Sequence, residues 1–546
     1  MKPLPERSNV EHLRKQAKDL LRQYRHQDVA AFERLRNALP SARSKPDSAL
    51  IAQQLRLHDM QSCIAREYGF ASWVELKDHV ELERVRTESL EAQRLHWLRL
   101  VYGADLAGGT GRPRPGLAAR RLAETPNLFG DDPYLACAIG DEAAIRRAIE
   151  RDAGWVHRSG GLLNIPPLIA VVHSELARLD PFREALYRSL LLLLDAGADP
   201  NAEYGFRQPP HSLEKPGEEK LTAIYGASGK LHDPTMTEML LAAGADGNDN
   251  ESLYHSLEDS RPDLPCTRLL LEAGVRVPGT NALAHVLDFD NLDGLKMLLA
   301  HTEHGDPDLG RILHWAIYRG RSVEHVRALL EAGADSKTLH SDGMSAYRRA
   351  ESFGLPEVVR LLEGEGTGEP LSVEEKFVAA CARAEEAEAR RLLEANPDLF
   401  ASLSAGQQKQ LPNLAMSGRD DAVRLMVELG WPISVRGGDI DGSALNWAVF
   451  RGKADLTEFL LEHGASFRES HGYGSDVIGT LSWASLNEPR DDGDWPACAA
   501  ALLAHGMPAA QPAGDPDSSG ARAVTIDGRT MTFTDEVVDV LLGAGA

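Results

Sequence analysis

A short pattern that recurs along most of the chain limits its possible folds more than any other feature. Two aliphatic residues are followed by a charged or small residue, a small residue, Gly and, in most copies, Ala. Clear copies are LLDAGAD (193–199), LLAAGAD (240–246), LLEAGAD (329–335) and LLEHGAS (460–466). In the centre of the chain most copies follow one another after 31 to 34 residues. A regular period of this size predicts a solenoid, in which stacked units share one elongated core.

Each period contains two apolar faces with helical spacing. In the copy around 443–466, Leu445, Ala448 and Val449 mark the first face. Gly452 interrupts the pattern, and a second face with i, i+3, i+4 spacing begins at Leu456. A helix–turn–helix unit this short cannot bury its apolar face alone, so the sequence predicts stacked helix pairs.

These residues resemble the ankyrin repeat family, whose period is about 33 residues and whose opening is Thr-Pro-Leu-His-x-Ala. The segments ILHWA (312–316) and ALNWA (444–448) are similar to that opening, and DGMSA (342–346) is similar to the approach to a first helix. The resemblance implies an all-α ankyrin-repeat solenoid of about 11–12 helix-turn-helix repeats preceded by a small helical domain. It also implies that His314 is a structural hydrogen-bonding residue between repeats. Trp315, Trp447 and Trp483 follow the same slot and are predicted to face the core.

The sequence divides into three parts. Residues 1–100 lack the repeat and predict a small helical domain, with helices at about 10–24, 28–39 and 47–68 and a fourth starting at Ser72. The amino-acid sequence of residues 1–100 resembles the N-terminal module of bacterial ankyrin-repeat proteins. We expect 101–125 to be a linker and 126–546 to be the solenoid with a C-terminal cap. Within the solenoid, 173–188 and 202–219 are insertions, and 523–533 predicts a β-hairpin ahead of a final helix.

Charge and composition exclude several classes of protein. The net charge of −23 divides into +7 for residues 1–121 and −30 for the rest, which disfavours nucleic acid as a partner. No apolar run approaches the length of a membrane span, and the N-terminus lacks the apolar region of a secretory signal. The five cysteines form no C-x-x-C pair, so we expect small core residues and a cytoplasmic protein.

Candidate binding residues follow from the resemblance. In ankyrin repeats the last residues of the first helix line the concave surface. Carried over by position, the candidates are Tyr318, Arg319, Ser352, Phe353, Phe450 and Arg451. Aromatic residues and Arg are enriched at binding hot spots. The sequence therefore predicts a non-catalytic scaffold that binds a protein with a basic patch, through the concave face.

Two alternatives remain open: an enzyme whose site lies in an insertion, and a nucleic-acid-binding regulator that uses the basic N-terminal helices. No catalytic motif, cofactor motif or metal motif nominates residues for an enzyme. The clusters around His301–Asp306 and Arg490–Asp494 are interpreted as solvated loops because ligand spacing is missing. The identity of the partner and the oligomeric state do not follow from the sequence.

Overall fold

The structure is a computed structural model of the chain. It describes residues 2, 4, 9–43, 45–53, 55, 57–109, 111–487, 492–513 and 522–543. The chain divides into two compact units. Unit 1 comprises Met1–Ala196 and Phe206–Glu218, and unit 2 comprises Gly197–Gly205 and Glu219–Ala546.

Unit 1 is helical. Its α-helices are α1 (Val10–Arg25), α2 (Val29–Ala38), α3 (Asp47–Ala52), α4 (Leu57–Glu67), α5 (Trp73–Val85), α6 (Leu90–Tyr102), α7 (Ala104–Ala107), α8 (Pro115–Glu124), α9 (Pro133–Ile139), α10 (Glu142–Arg151), α11 (Pro167–Val172) and α12 (Asp180–Asp195). Short 3₁₀ helices lie at Pro126–Leu128, Ala153–His157 and Glu175–Arg178.

The N-terminal helices form where the sequence predicts them. Helix α1 begins after Asn9, whose side chain accepts a hydrogen bond from the Glu11 backbone N–H and so satisfies one free donor of the first turn. Its apolar stripe is buried. Ser72 caps α5 in the same way, through the Glu75 N–H. The predicted helix at 47–68 is instead two helices, α3 and α4.

Residues 101–125, expected to be a linker, contain helices α7 and α8. Pro115 occupies the first turn of α8, where its missing N–H costs nothing. Arg121 of α8 is 1% exposed, and its guanidinium donates to the Leu82 carbonyl and to Gln93. Side chains buried on α8 therefore turn this segment into packed structure.

The insertion at 202–219 is also packed. Its tip, residues 206–218, belongs to unit 1. The Arg207 backbone N–H donates to the Asp105 carbonyl at 2.9 Å, and its buried guanidinium donates to the Leu106 carbonyl at 2.9 Å. The insertion at 173–188 adds a 3₁₀ helix and lengthens α12 to 16 residues, as the sequence predicted.

Unit 2 carries most of the repeats. Its α-helices are α13 (Ala223–Tyr225), α14 (Pro234–Ala242), α15 (Ser252–Ser256), α16 (Pro265–Glu272), α17 (Ala282–His285), α18 (Leu292–Leu299), α19 (Leu309–Tyr318), α20 (Val323–Glu331), α21 (Ala346–Ser352), α22 (Pro356–Gly364), α23 (Val373–Ala382), α24 (Glu386–Ala395), α25 (Leu399–Ser402), α26 (Ala405–Gln408), α27 (Gln410–Met416), α28 (Asp420–Glu428), α29 (Ala444–Phe450), α30 (Ala454–Glu462), α31 (Val477–Asn487), α32 (Trp495–Ala504) and α33 (Asp535–Gly543). A π-helical turn at Gly226–Lys230 continues α13.

The helices of unit 2 form two layers. The first helices pack in sequence, from α13 through α15, α17, α19, α21, α23, α27 and α29 to α31. Second helices pack behind them, for example α18 on α20 and α30 on α32. Counted over the residues that the structure describes, eleven helix pairs run from α9 to α32. The prediction of an all-α solenoid of about 11–12 helix-turn-helix repeats is confirmed.

Local chemistry sets the boundaries of each helix pair. Ser443 caps α29 by accepting from the Asn446 backbone N–H. Gly452 then adopts a φ of +65°, which ends the first helix where a side chain would be strained. His314 is buried, and its Nε2 lies 2.8 Å from the Thr338 carbonyl of the next repeat, so the structural role predicted for His314 is confirmed.

Two small sheets accompany the helices. Strands β1 (Glu203–Gly205) and β2 (Lys220–Thr222) are antiparallel. Strands β3 (Gln511–Pro512), β4 (Arg522–Ile526) and β5 (Arg529–Phe533) form a second sheet in that order, with Ile526 opposite Arg529. The hairpin predicted at 523–533 and the helix after it are confirmed.

No helix among the described residues is both long and apolar enough to cross a membrane. All five cysteines are buried and free of disulfide bonds. Burial raises the pKa of the Cys63, Cys381 and Cys498 thiols to about 12, which keeps them protonated and unreactive.

Candidate protein-binding face

The C-terminal ends of the first helices of unit 2 converge. Tyr318 of α19 places its hydroxyl 3.8 Å from Met416 Sδ of α27, although 98 positions separate the two residues. Arg419 donates to the Gly354 carbonyl at 3.2 Å and to the Ala382 carbonyl at 3.4 Å. Contacts between repeats this far apart place the first-helix ends on the inside of a curve. We call this side of α19–α31 the inner face; it is formed by Trp315, Tyr318, Arg319, Ser352, Phe353, Met416, Trp447, Phe450, Arg451 and Trp483.

Arg319 is held by two carboxylates. Its Nε lies 2.8 Å from Asp288 Oδ1, in the loop after α17, and its Nη1 lies 2.6 Å from Asp439 Oδ2. Its guanidinium carbon also sits 4.4 Å from the centre of the Trp315 ring, a cation–π contact. The Arg319 side chain is 18% exposed, so this pairing is partly desolvated.

Tyr318 contacts one of the same two carboxylates, Asp439. Its hydroxyl donates to Asp439 Oδ1 at 3.3 Å, across 121 positions of sequence. Burial, together with the Asp439 charge, holds the pKa of Tyr318 above its ordinary value, so the hydroxyl remains a donor. Sequence reasoning missed Asp439 because nothing in its local pattern places it beside α19.

The next two candidates, Ser352 and Phe353, lie at the end of α21. The Ser352 hydroxyl donates to the Arg349 carbonyl of its own helix at 2.9 Å. Phe353 is 3% exposed and makes an edge-to-face contact with Tyr318, with ring centres 5.6 Å apart. Phe353 therefore supports the inner face from beneath.

Phe450 and Arg451 end α29. Arg451 Nη1 lies 3.2 Å from Asp420 Oδ1 and 3.4 Å from the Ala415 carbonyl, both in the preceding repeat. Phe450 is half-buried and stacks on Trp483 of α31, with ring centres 5.5 Å apart and planes 13° apart. The structure thus brings together Tyr318, Arg319 and Phe353 as one group and places Phe450 with Arg451 as another.

The three tryptophans of one repeat slot have different surroundings. Trp447 is buried, and its indole N–H donates to the Gly437 carbonyl at 3.0 Å. Trp315 is half-buried beneath Arg319. Trp483 is 52% exposed, so the prediction that it faces the core is wrong. The residue four positions after Trp483 is Asn487, where the other two tryptophan copies have Arg319 and Arg451.

A chain of histidines and carboxylates lies next to this face, on α15 and α17. His255 Nδ1 lies 2.9 Å from Glu258 Oε1 and its Nε2 lies 3.1 Å from Glu251 Oε2. His285 Nε2 lies 3.3 Å from the same Glu258 oxygen, and its Nδ1 lies 3.1 Å from Asp288. Both nitrogens of each ring thus face carboxylates, which suits the doubly protonated imidazolium.

The pKa values follow from this arrangement. Burial lowers the pKa of His255 and of His285, but the hydrogen bonds and negative charges of their carboxylate partners outweigh it, so both lie above 6.5. Burial raises the pKa of Glu258, and the hydrogen bonds from both histidines outweigh it and lower that pKa to about 2. Sequence analysis missed this chain, because the residues come from two repeats that only stacking joins.

Among the described residues no group of three or more His, Cys, Asp or Glu side chains has the geometry of a metal site. This includes the His301–Asp306 loop, whereas part of the Arg490–Asp494 segment lies outside the described residues.

The basic N-terminal helices carry a mixed surface. Arg14 is 4% exposed and pairs with Glu11 at 2.5 Å, and Arg22 pairs with Asp19 at 2.8 Å. Arg34 and Glu67 form a two-pronged pair at 2.7 and 3.0 Å. Carboxylates of the same unit thus neutralise several of the cations that nucleic acid would need.

Similar folds occur among solved structures. The ankyrin repeat domain of human ASB11 matches 44% of this chain and 100% of its own, at 22% identity and a TM-score of 0.20. The ankyrin repeat domain of Bcl-3, a member of the IkappaB protein family, matches 48% of this chain and 98% of its own, at 19% identity and a TM-score of 0.21. No protein-family model and no curated protein sequence matches the chain. The structural matches are thus to ankyrin repeat domains, and at these identities they concern the fold alone.

Proposed function

We propose that the chain is a non-catalytic scaffold that binds a protein partner through the concave inner face of unit 2. The observation that carries the proposal is the exposed aromatic pair on that face, Trp483 stacked on Phe450. Exposed tryptophan is uncommon on a protein surface that meets only water, and it is enriched at interfaces. Stacking fixes the Trp483 ring, so little side-chain entropy is lost when a partner covers it.

The residues proposed from the sequence contribute to this surface in different ways. Phe450 contributes contact area directly. Arg319 and Arg451 already bind carboxylates of the chain, so their contribution is to hold neighbouring repeats in register as well as to present charge. Tyr318, Ser352 and Phe353 support the same wall.

The partner that fits is a protein with a basic patch. Residues 122–546 carry a net charge of −30, which attracts cations over distances beyond direct contact. Association would therefore slow as salt is added. We also propose that the protein is bacterial and located in the cytoplasm.

Affinity capture tests whether the inner face binds a protein partner. Tagged full-length protein is compared with a variant carrying Phe450→Ala and Arg451→Ala, and with a matched variant carrying Arg327→Ala and Arg360→Ala on the second helices α20 and α22. We expect a protein that is captured by the native chain and by the second-helix variant and lost with the inner-face variant. Circular dichroism and melting temperature show whether each variant is folded.

Binding of the captured protein is then measured with purified components. Retention of full affinity by a folded inner-face variant would contradict the proposal, as would loss confined to the second-helix variant.

A further inference from the structure

A tryptophan occupies the same position of the repeat three times on the inner face, and different groups pack over it each time. The slot is the tryptophan that follows the family's histidine position: Trp315, Trp447 and Trp483. Four residues later stand Arg319, Arg451 and Asn487. Because the three copies have the same place in the repeat, the covered copies show what chemistry an uncovered copy accepts.

At Trp315 the cover is a guanidinium from the chain itself. Arg319 lies 4.4 Å from the ring centre, and its nitrogens reach Asp288 and Asp439. A planar guanidinium stacks on an indole and still donates hydrogen bonds from its edge, which an ammonium cannot do equally well.

At Trp447 the cover is backbone. The loop before α29 passes over the ring so closely that a Cβ on Gly438 would lie 2.6 Å from the indole. This tryptophan has no room for another group and is 4% exposed.

At Trp483 one face is supported and the indole stays 52% exposed. The Phe450 ring stacks against it at 5.5 Å, nearly parallel. The Trp483 backbone is fixed as well, because its carbonyl accepts a hydrogen bond from the side-chain amide (Nδ2) of Asn487 at 2.8 Å. Among the described residues, the third copy is thus an exposed aromatic surface with Asn487 in the place that Arg319 and Arg451 take in the other two copies.

We propose that Trp483 is the docking point for an arginine side chain of the protein partner, which takes over Trp483 the position that Arg319 takes over Trp315. This inference rests on the proposed protein-binding function and names the chemistry of the partner segment: an arginine-bearing peptide with apolar neighbours that cover Phe450.

Charge in this part of the chain favours that occupant. Residues 430–543 contain 17 Asp and Glu against 7 Lys and Arg. Several of those cations are already paired, for example Arg436 with Asp441 and Arg529 with Asp476. A cationic partner therefore gains from the surrounding field, whereas an acidic or neutral one does not.

A random peptide library panned on the full chain tests the inference. We expect enrichment of peptides with arginine, and the affinity of a selected peptide should fall about tenfold when that arginine is replaced by citrulline, its neutral isostere. A comparable loss is expected with Trp483→Ala. Tyr473→Ala, which removes an 80% exposed ring from a neighbouring loop, is the matched control and should leave the affinity within about twofold.

A variant that places an added side chain over Trp483 keeps the test independent of lost stability. Asn487→Arg restores the arginine of the other repeats, and it should cover Trp483 and block the peptide while the melting temperature stays the same or rises. Selected peptides without arginine, or peptides that bind Trp483→Ala and Asn487→Arg as well as native protein, would overturn the inference. A partner captured through the inner face yet indifferent to both variants would leave the proposed function intact and refute only the role of Trp483.

Discussion

At the scale of single residues, the same repeat position serves different purposes in different copies. Arginine ends the first helix in three repeats and pairs each time with a carboxylate of the repeat before: Arg319 with Asp288, Arg383 with Glu351, and Arg451 with Asp420. These pairs tie neighbouring repeats together. In the repeat of Trp483 the same position is Asn487, so this tie to the repeat before is not made by an arginine there.

The histidine chain predicts a pH-dependent stability. The pKa values of His255 and His285 are raised on folding, so their stabilisation is complete below about pH 6.5 and is lost as pH rises through the raised values. The pKa of Glu258 is lowered from 4.5 to about 2, so its stabilisation is present above pH 4.5 and is lost on acidification towards 2. Together, and with Glu251 and Asp288 as the other facing carboxylates, the group stabilises unit 2 most between these limits.

The measurement is the urea midpoint at pH 6.0 and pH 8.5. The native chain should have the higher midpoint at pH 6.0, and the double variant His255→Gln, His285→Gln should lose most of that difference. His505→Gln, at an exposed histidine, is the control. An unchanged difference in the double variant would show that these two histidines are not its source.

At the scale of elements, the loop between α28 and α29 links distant parts of the inner face. Gly437 and Gly442 pair across its base, and Gly438 N–H donates to Asn413 Oδ1 at 2.9 Å. The loop carries Asp439 to Tyr318 and Arg319 of α19. One loop thus connects helix pairs that are three repeats apart, which ordinary nearest-neighbour stacking does not do.

Substitution at Gly438 tests how far the loop depends on its close approach to Trp447. Gly438 has a φ of +71°, and a Cβ there would meet the indole at 2.6 Å. Gly438→Ala should cost about 1–2 kcal/mol for the left-handed backbone and a further amount for displacing Trp447. Gly464→Ala is the matched control, because its φ is +96° and nothing lies within 4 Å, so only the backbone cost applies.

Chemical denaturation of both variants gives the comparison. The Gly438→Ala chain should have the lower midpoint and faster hydrogen exchange at residues 436–442. Equal losses of stability in the two variants would mean that the loop can move away from Trp447 without cost.

At the scale of the whole repeat array, stability comes from neighbours covering one another. Buried side chains from Phe353 to Leu541 form one continuous core. The last helix pair, α31 with α32, is covered by β5 and α33. Side chains of β4, β5 and α33 are fully buried, among them Val524, Phe533 and Leu541.

Removing the cover should therefore expose the core. Deletion of residues 522–543 takes away several apolar side chains, each worth about 1.5–3 kcal/mol when buried. We expect the shortened chain to self-associate on size-exclusion chromatography and to melt at a lower temperature. Leu541→Ala alone should lower the melting temperature without self-association, since one cavity costs about 2–5 kcal/mol and leaves the rest of the cover in place. A monomeric deletion variant with native melting would refute this view of β4, β5 and α33.

The sequence by itself determined the repeat architecture, since that information is local. Apolar spacing, capping residues and turn glycines recur within each period, so the helix pairs, the role of His314 and the hairpin around Asp527 were all predictable. The long helix expected at 47–68 is two helices, and the expected linker at 101–125 is helical because Arg121 and its neighbours are buried. Only the tertiary structure decided which copy of a repeated residue is exposed: Trp315, Trp447 and Trp483 share one pattern, but Asp288 and Asp439 hold Arg319 over the first, the loop at Gly438 folds over the second, and the third is 52% exposed. The contacts of Asp439 and of the histidine chain were undecidable for the same physical reason, because each depends on how separate repeats meet in space.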